Sequence, residues 1–188
     1  LGRELARQLS RQGAKLIISS RRADVLEEVK QECLAINPET QVHVLIVDLE
    51  DLDSLDGRAK QALAFFGNKI DVLINNGGVS TRSSARDAAY DVTMKLTKVD
   101  FLSCVKLAKA VLPSMTECVQ DSPDSPSVPR GGHIVNISSV AGKAGVVLRT
   151  AYCGAKFALI GWFDALRVEE HVFGSGVRVT NVCPGSVQ

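Results

Sequence analysis

The stretch Gly132–Lys156, GHIVNISSVAGKAGVVLRTAYCGAK, decides the fold. Its first part, His133–Ser138, is a short apolar run rich in Ile and Val, which reads as a buried strand. A glycine-containing loop follows, and a helix starts near Tyr152. Strand, loop and helix in that order form half of a parallel α/β unit. The same stretch carries candidate chemistry. Ser139 ends the strand thirteen residues before Tyr152, and Lys156 follows Tyr152 by four. Helical spacing puts Tyr152 and Lys156 on one face. An ammonium beside a phenol favours the phenolate, which makes the phenol a poised proton donor. Ser139 can donate a hydrogen bond to the same substrate oxygen. The set suits reduction of a carbonyl or oxidation of an alcohol. A Tyr-x-x-x-Lys pair alone is weak evidence, since a solvated lysine beside a half-buried tyrosine is common in helices.

Outward from this stretch, helix and strand patterns alternate. Arg3–Gln12 has Leu5, Ala6 and Leu9 at helical spacing, and Gly13 ends it. Lys15–Ser20 reads as a buried strand, Ala23–Ile36 as an amphipathic helix stopped by Asn37-Pro38, and Gln41–Val47 as the next strand. Leu52–Phe66 is helical up to Gly67, and Asp71–Asn75 is a strand. Asp87–Leu112 is mostly helical, in two pieces, and stops before Pro113. Residues 120–132, rich in Pro, Ser and Gly, read as a mobile surface loop. Helix Tyr152–His171 and strand Val177–Cys183 complete the pattern.

The bulk numbers fit an ordinary globular chain. The 188 residues are enough for one domain with a real core, with 45% hydrophobic and 23% charged residues. The net charge is +1, and no run of like charge points to a nucleic-acid partner. The five cysteines (Cys33, Cys104, Cys118, Cys153, Cys183) form no C-x-x-C pair and no zinc spacing with the three histidines, so no metal is expected. No apolar stretch is long enough to span a bilayer.

Asn75-Asn76-Gly77-Gly78, Asn136-Ile137-Ser138-Ser139, Tyr152-x-x-x-Lys156 and Pro184-Gly185 stand in the order and spacing of the short-chain dehydrogenase/reductase family, which the chain resembles over nearly its whole length. Asn-Asn-Gly-Gly followed by Val79–Ser83 looks most like the dehydrogenase/reductase member 7 subgroup. The resemblance implies a Rossmann-type, doubly wound α/β fold: a parallel sheet with helices on both faces, here one dinucleotide-binding domain, 1–188. It also implies a first, central strand before Leu1 and a last strand and substrate lid after Gln188. On that expectation the sequence is an internal fragment. It would be cytoplasmic, or associated with the endoplasmic-reticulum membrane if an anchor precedes residue 1.

The resemblance assigns further residues. Gly2 stands as the last glycine of the dinucleotide fingerprint. Ser20 holds the place of the acid that selects NAD, and Arg21 and Arg22 follow. That favours NADP, whose 2′-phosphate a guanidinium pairs with, over NAD. Asp48 would receive the adenine amino group and Leu49 would cap the adenine; an N-cap role for Asp48 stays open. Asn75 and Gly77 would border the cofactor, with Gly77 replacing the usual alanine. Pro184, Gly185 and Val187 would face the nicotinamide, beside Tyr152 and Lys156 at its ribose. Asp100 replaces the family's asparagine, which helps hold a water behind the lysine. Either the carboxylate pairs with Lys156 through water or it spoils the relay; reduced but present activity is expected. The implied function is NADP-dependent hydride transfer to a carbonyl, or from a secondary alcohol, of steroid, retinoid or xenobiotic class. Tyr152 would be the general acid or base and Lys156 its partner, with Ser139 orienting the substrate. A silent dinucleotide-binding interaction protein is the alternative, and an epimerase or dehydratase on the same scaffold stays open. Apolar residues on several faces of Asp100–Leu112 and Phe157–Val168 point to a homodimer.

Overall fold

The computed structural model describes residues 1–116 and 131–185, together with the backbone of 118–119 and 128–129. In chain order the elements are α1 (Gly2–Arg11), β1 (Leu16–Ser20), α2 (Ala23–Ile36), β2 (Val42–Ile46), α3 (Leu55–Phe65) and β3 (Val72–Asn75). They continue with α4 (Tyr90–Thr97), α5 (Ser103–Met115), β4 (Cys118–Val119), β5 (Val128–Pro129), β6 (His133–Ile137), α6 (Thr150–Val172) and β7 (Arg178–Val182). β1 and β2 pair in parallel, and β3, β6 and β7 form a second parallel sheet in that order. β1 and β3, between which the family resemblance sets a central strand, are each the edge of their own sheet.

Alternation along β1 and β2 explains why helices cover both faces of that pair. Leu16 and Val42 are buried with Ala6 of α1 and with Val29 and Cys33 of α2. Ile17, Leu45 and Val47 turn the other way and pack with Leu55 of α3. Side chains one residue apart on a strand point to opposite faces, so each strand serves two layers. The larger core lies under the second sheet. Ile134 and Val179 meet Cys104, Ala108 and Val111 of α5 and Leu159, Phe163 and Leu166 of α6.

Three of the sequence boundaries move. Leu52–Phe66 divides into a 3₁₀ turn, Leu52–Ser54, and α3, with Gly67 and Asn68 both at positive φ beyond it. The long helix after Asp87 starts later, at Tyr90, and carries a π-turn at Lys98–Leu102 between α4 and α5. It also runs past Pro113 to Met115, where the Gly132 N–H caps the Met115 carbonyl at 2.9 Å. Within the expected surface loop, β5 pairs antiparallel with β4, which lies just before the loop. Residues 120–127 and 130 of that loop lie outside the described residues. Among the described residues no helix is long and apolar enough to cross a membrane, and no cluster of His, Cys, Asp or Glu is placed for a metal.

A ladder of amides crosses the second sheet. Asn75, Asn136 and Asn181 are in register on β3, β6 and β7. Asn75 Nδ2 donates to Asn136 Oδ1 at 2.8 Å, and Asn136 Nδ2 donates to Asn181 Oδ1 at 2.9 Å. Asn181 Nδ2 then donates to Asp164 Oδ1 on α6 at 2.9 Å. Asn136 is fully buried, so both of its bonds replace water. Replacing it by alanine strands a buried donor on Asn75 and leaves the Asn181 carbonyl without its amide partner. We predict that Asn136→Ala lowers stability by roughly 2–6 kcal/mol, at about 1–3 kcal/mol per stranded group. Chemical denaturation of both forms measures it; an unchanged midpoint contradicts the ladder's importance.

Candidate active site

Every described residue singled out for the site lies at or just beyond the carboxyl end of a parallel strand, or on a helix packed there. This is the edge where open α/β sheets bind ligands. The loop after β6 bends onto α6 under tight constraint. A Cβ at Gly142 would stand 2.7 Å from Ile160 Cδ1 and 2.9 Å from the Lys156 carbonyl and Ser138 Oγ. Only glycine allows that approach. Ser139 caps the 3₁₀ turn in this loop, its Oγ accepting the Ala141 N–H at 3.1 Å. The Ser139 hydroxyl proton stays free to donate. Tyr152 and Lys156 rise from the first turns of α6, with Lys156 Nζ 5.7 Å from the Tyr152 ring centroid.

Lys156 is 4% exposed. Its ammonium donates to the Ile137 carbonyl at 3.2 Å and stands 3.5 Å from Asp100 Oδ1. Asp100 is completely buried in the π-turn, and its Oδ1 accepts the Val79 N–H at 3.0 Å. Its Oδ2 has no hydrogen-bond partner among the described residues. Burial pushes the Asp100 carboxyl upward, against the opposing pull of Lys156 and of the Val79 N–H. Burial also raises the neighbouring Cys104 thiol to about 11. A π-turn adds one residue to a helical turn and re-aims the side chains on it; this is how Asp100 comes to face α6.

The cofactor candidates converge in pairs. A Cβ at Gly77 would come within 2.5 Å of Leu49 Cδ1, and one at Gly2 within 2.8 Å of Asn76 Nδ2. Asn75 is tied to β6 by the ladder. Asp48 is exposed, and its Oδ1 accepts from Glu50 N–H at 2.9 Å. The N-cap of the next turn is Asp51, whose side chain accepts from Ser54 N–H, so the N-cap reading of Asp48 is overturned. Arg21 and Arg22 follow β1, both exposed and without an ion-pair partner among the described residues; Ser20 Oγ accepts the Arg22 N–H. Pro184 accepts Val140 N–H at 3.1 Å, and the Val182 carbonyl accepts Ser138 N–H at 2.8 Å. The Pro184-Gly185 turn is thereby fastened to the Ser139 loop. Val187 lies outside the described residues.

Two neighbours had no individual role assigned from the sequence. Arg149, the residue before α6, stands 5.7 Å over the Tyr152 ring and donates from Nη1 to Ser80 Oγ and to the Thr81 carbonyl. Its predecessor Leu148 has a φ of 61°, in the left-handed region that non-glycine residues rarely adopt, and its carbonyl accepts the Ser83 N–H. Together they clasp the 80–83 segment beside Tyr152. The other is Gly78, where a Cβ would fall 2.4 Å from Asp100 Oδ1. Its signal in the sequence was the doubled glycine. Arg149 gave no signal, because nothing local links residues 149 and 80.

A family model described as short chain dehydrogenase matches residues 1–188. The chain belongs to the short-chain dehydrogenase/reductase family. Within it, the likeness is to the member 7 subgroup. The chain is 42% identical to dehydrogenase/reductase SDR family member 7 of Homo sapiens over 190 residues, which is 100% of this chain and 52% of that protein. It is 38% identical to a member 7-like protein of Drosophila melanogaster, covering 54% of it. The chain therefore spans about half the length of the curated relatives it matches. A metagenomic short-chain oxidoreductase in complex with NADP superposes with a TM-score of 0.85 at 30% identity, over 99% of this chain and 77% of that one. Levodione reductase, at 24% identity and a TM-score of 0.85 over 98% of this chain and 66% of that one, shares the fold.

The two adjacent glycines differ in what they touch. Leu49 Cδ1 is the end of a flexible side chain, whereas Asp100 Oδ1 is held by Val79 and Lys156. Gly77→Ala is expected to change stability by less than about 1 kcal/mol, and Gly78→Ala to cost about 1–3 kcal/mol by overpacking. Thermal melts of the two variants decide it; equal melts contradict the difference.

Proposed function

We propose that the protein is an oxidoreductase of the carbonyl/secondary-alcohol class, with NADP as its preferred cofactor. The observation that carries this is the packing of the Ser139 loop onto the Lys156 turn of α6 through Gly142, with Lys156 Nζ 5.7 Å from the Tyr152 ring centroid. The residues fit a dinucleotide. A Cβ at Gly2 would press on the Asn76 amide and one at Gly77 on the end of the Leu49 side chain, Asn76 Oδ1 is buried without a partner among the described residues, and Asp48, Arg21 and Arg22 are exposed past β2 and β1. When bound, the nicotinamide supplies or accepts the hydride.

The rest of the work belongs to the chain. Tyr152 holds the proton that the substrate oxygen gains in reduction and takes it back in oxidation. Ser139 donates a hydrogen bond from its hydroxyl to the same oxygen, holding it and stabilising its developing charge. Lys156 keeps a positive charge beside the phenol and, from its fixed bond to Ile137, reaches toward a ribose. Arg21, with Arg22 beside it, recognises the 2′-phosphate. In support, the NADP-complexed relative at 30% identity has this same fold. Substrates of steroid, retinoid or xenobiotic class belong to this reading.

The homodimer belongs to the proposal as well. Of the α6 residues that argued for it, Ile160, Phe163 and Leu166 are buried within the chain, and Trp162 packs partly against the same core. Phe157, Val168 and Val172 stay exposed along one stripe of α6, and this stripe is the surface offered to a second copy. A silent dinucleotide-binding protein is the second reading. The observation that favours it is Asp100, a buried carboxylate with one oxygen unpartnered behind Lys156.

Two experiments test the proposal in the full-length protein. Tyr152→Phe is expected to remove carbonyl reduction while leaving cofactor affinity nearly intact, and Ser139→Ala to cost about 10²–10³ in kcat, as lost oxyanion donors do. Normal turnover by Tyr152→Phe sinks the mechanism, and no turnover by the wild type favours the silent reading.

Arg21→Asp is expected to shift preference from NADP toward NAD, read as the ratio of kcat/KM for the two cofactors. A wild type that already prefers NAD contradicts the role given to Arg21.

A further inference from the structure

We propose that Arg149 is a positioning residue of the site: it clasps the 80–83 segment and, through that clasp, sets the Tyr152 ring for proton transfer to the substrate oxygen. The inference rests on the oxidoreductase reading above for its effect on turnover. The placement it gives Tyr152 can be measured without turnover.

Local chemistry argues against an arginine at this place. Arg149 is the residue before α6, and its side chain makes no capping bond there. Serine, threonine, asparagine and aspartate suit that position, because a short side chain can accept the unpaired N–H groups of the first turn. A cation also meets the positive end of the helix dipole. The residue before it, Leu148, holds a φ of 61°. Two adjacent residues that go against local preference mark a shape on which the surrounding site depends.

What depends on it is the loop after β3. Between Asn75 and Tyr90 the chain has no helix or strand. Ser83 N–H donates to the Leu148 carbonyl at 3.1 Å. Arg149 Nη1 donates to Ser80 Oγ and, at 3.1 Å, to the Thr81 carbonyl. Among the described residues, these are the hydrogen bonds that tie 80–83 to another part of the fold. The same guanidinium stands 5.7 Å from the Tyr152 ring centroid, and Lys156 Nζ stands 5.7 Å from it as well. Arg149 precedes Tyr152 by three residues and Lys156 follows it by four, so a turn of chain on each side brings a cation to the ring. The Tyr152 hydroxyl has no hydrogen-bond partner among the described residues, so the setting of the ring depends on these neighbours. A proton donor must stand within about 2.6–3.2 Å of the oxygen it serves. A small tilt at the base of the ring is magnified at the hydroxyl. Arg149, anchored at Ser80 and Thr81, limits that tilt.

The full-length protein tests this. Arg149→Asn supplies a capping side chain and removes the clasp. It should keep Tm within about 4 °C of the wild type. It should lower kcat by about tenfold to a hundredfold, as small misplacements of a reacting group do, and leave the cofactor KM within about threefold. Ser80→Ala keeps the arginine and removes one of its anchors. It should lower kcat in the same direction, and adding it to Arg149→Asn should lower kcat no further. If Arg149→Asn does not fold, Ser80→Ala decides alone. An unchanged kcat overturns the proposal. So does a fall in kcat matched by an equal fall in the fraction of protein that binds cofactor, which is what a merely structural role gives.

The deciding measurement needs no activity. With 3-fluorotyrosine incorporated, the fluorine resonance of Tyr152 is the one missing from Tyr152→Phe. It should move in Ser80→Ala, while that of Tyr90, which is 75% exposed, should not. In an Arg149→Asn background the same change at Ser80 should no longer move it, because the link between the two is gone. A Tyr152 resonance indifferent to Ser80 in the wild-type background overturns the proposal. The movement in a protein without turnover supports this inference and counts against the oxidoreductase reading. Turnover with an indifferent resonance does the reverse.

Discussion

The amide ladder Asn75–Asn136–Asn181 is the constraint on which the site depends. Parallel strands can slip by two residues and still bury the same face. Side-chain amides that bond only when all three are in register forbid that slip, because a shifted strand strands buried donors and acceptors. The ladder sits at the last residue of β3 and one residue before the end of β6 and of β7. It therefore fixes where the following loops begin. Asn76–Val79, Ser138–Ser139 and Pro184-Gly185 all start from a position set by that row. Asp164 at its far end fastens the row to α6, the helix that carries Tyr152 and Lys156.

From that fixed edge the site is assembled by close approaches that a side chain would block. Gly142 lets the Ser139 loop lie on the Lys156 turn, and Gly78 leaves space for the Asp100 carboxyl. The glycines here give room more than backbone freedom, since neither has a positive φ. Asp100 then occupies a fully buried position between Val79 and Lys156. A charged residue in such a place is costly unless it is paired or neutral, and the geometry supplies pairing for one oxygen only. The tension between burial and the nearby ammonium is built into this chain by one substitution relative to the family's asparagine.

Much of the architecture was legible in sequence. Alternating periodicity gave the strand and helix order, and α2 begins and ends at the residues its pattern marked, because Asn37-Pro38 is a local stop. Boundaries failed where long-range contacts overrode local signals. Pro113 reads as a stop, yet the helix continues to Met115, whose carbonyl the distant Gly132 N–H closes. The N-cap role left open for Asp48 falls to Asp51, because the 3₁₀ turn starts three residues later than that role requires. Ile160, Phe163 and Leu166 looked like surplus apolar residues and are buried, because β6, β7 and α5 surround that face of α6 more fully than helix periodicity can tell.

The sequence by itself determined the alternation of elements, the Ser139–Tyr152–Lys156 spacing, the glycine signatures and the oddity of an aspartate at position 100. These are local or short-range features, carried by residue type and interval. Only the tertiary structure decided that Arg149 of one loop grips Ser80 and Thr81 of another, that the π-turn aims Asp100 at Lys156, and that one Asp100 oxygen has a partner while the other has none among the described residues. Those facts depend on groups 20 to 70 residues apart in the chain being brought within bonding distance. Hydrophobic periodicity says which face is buried but not which polar atoms meet there, and that meeting sets the state of a buried acid.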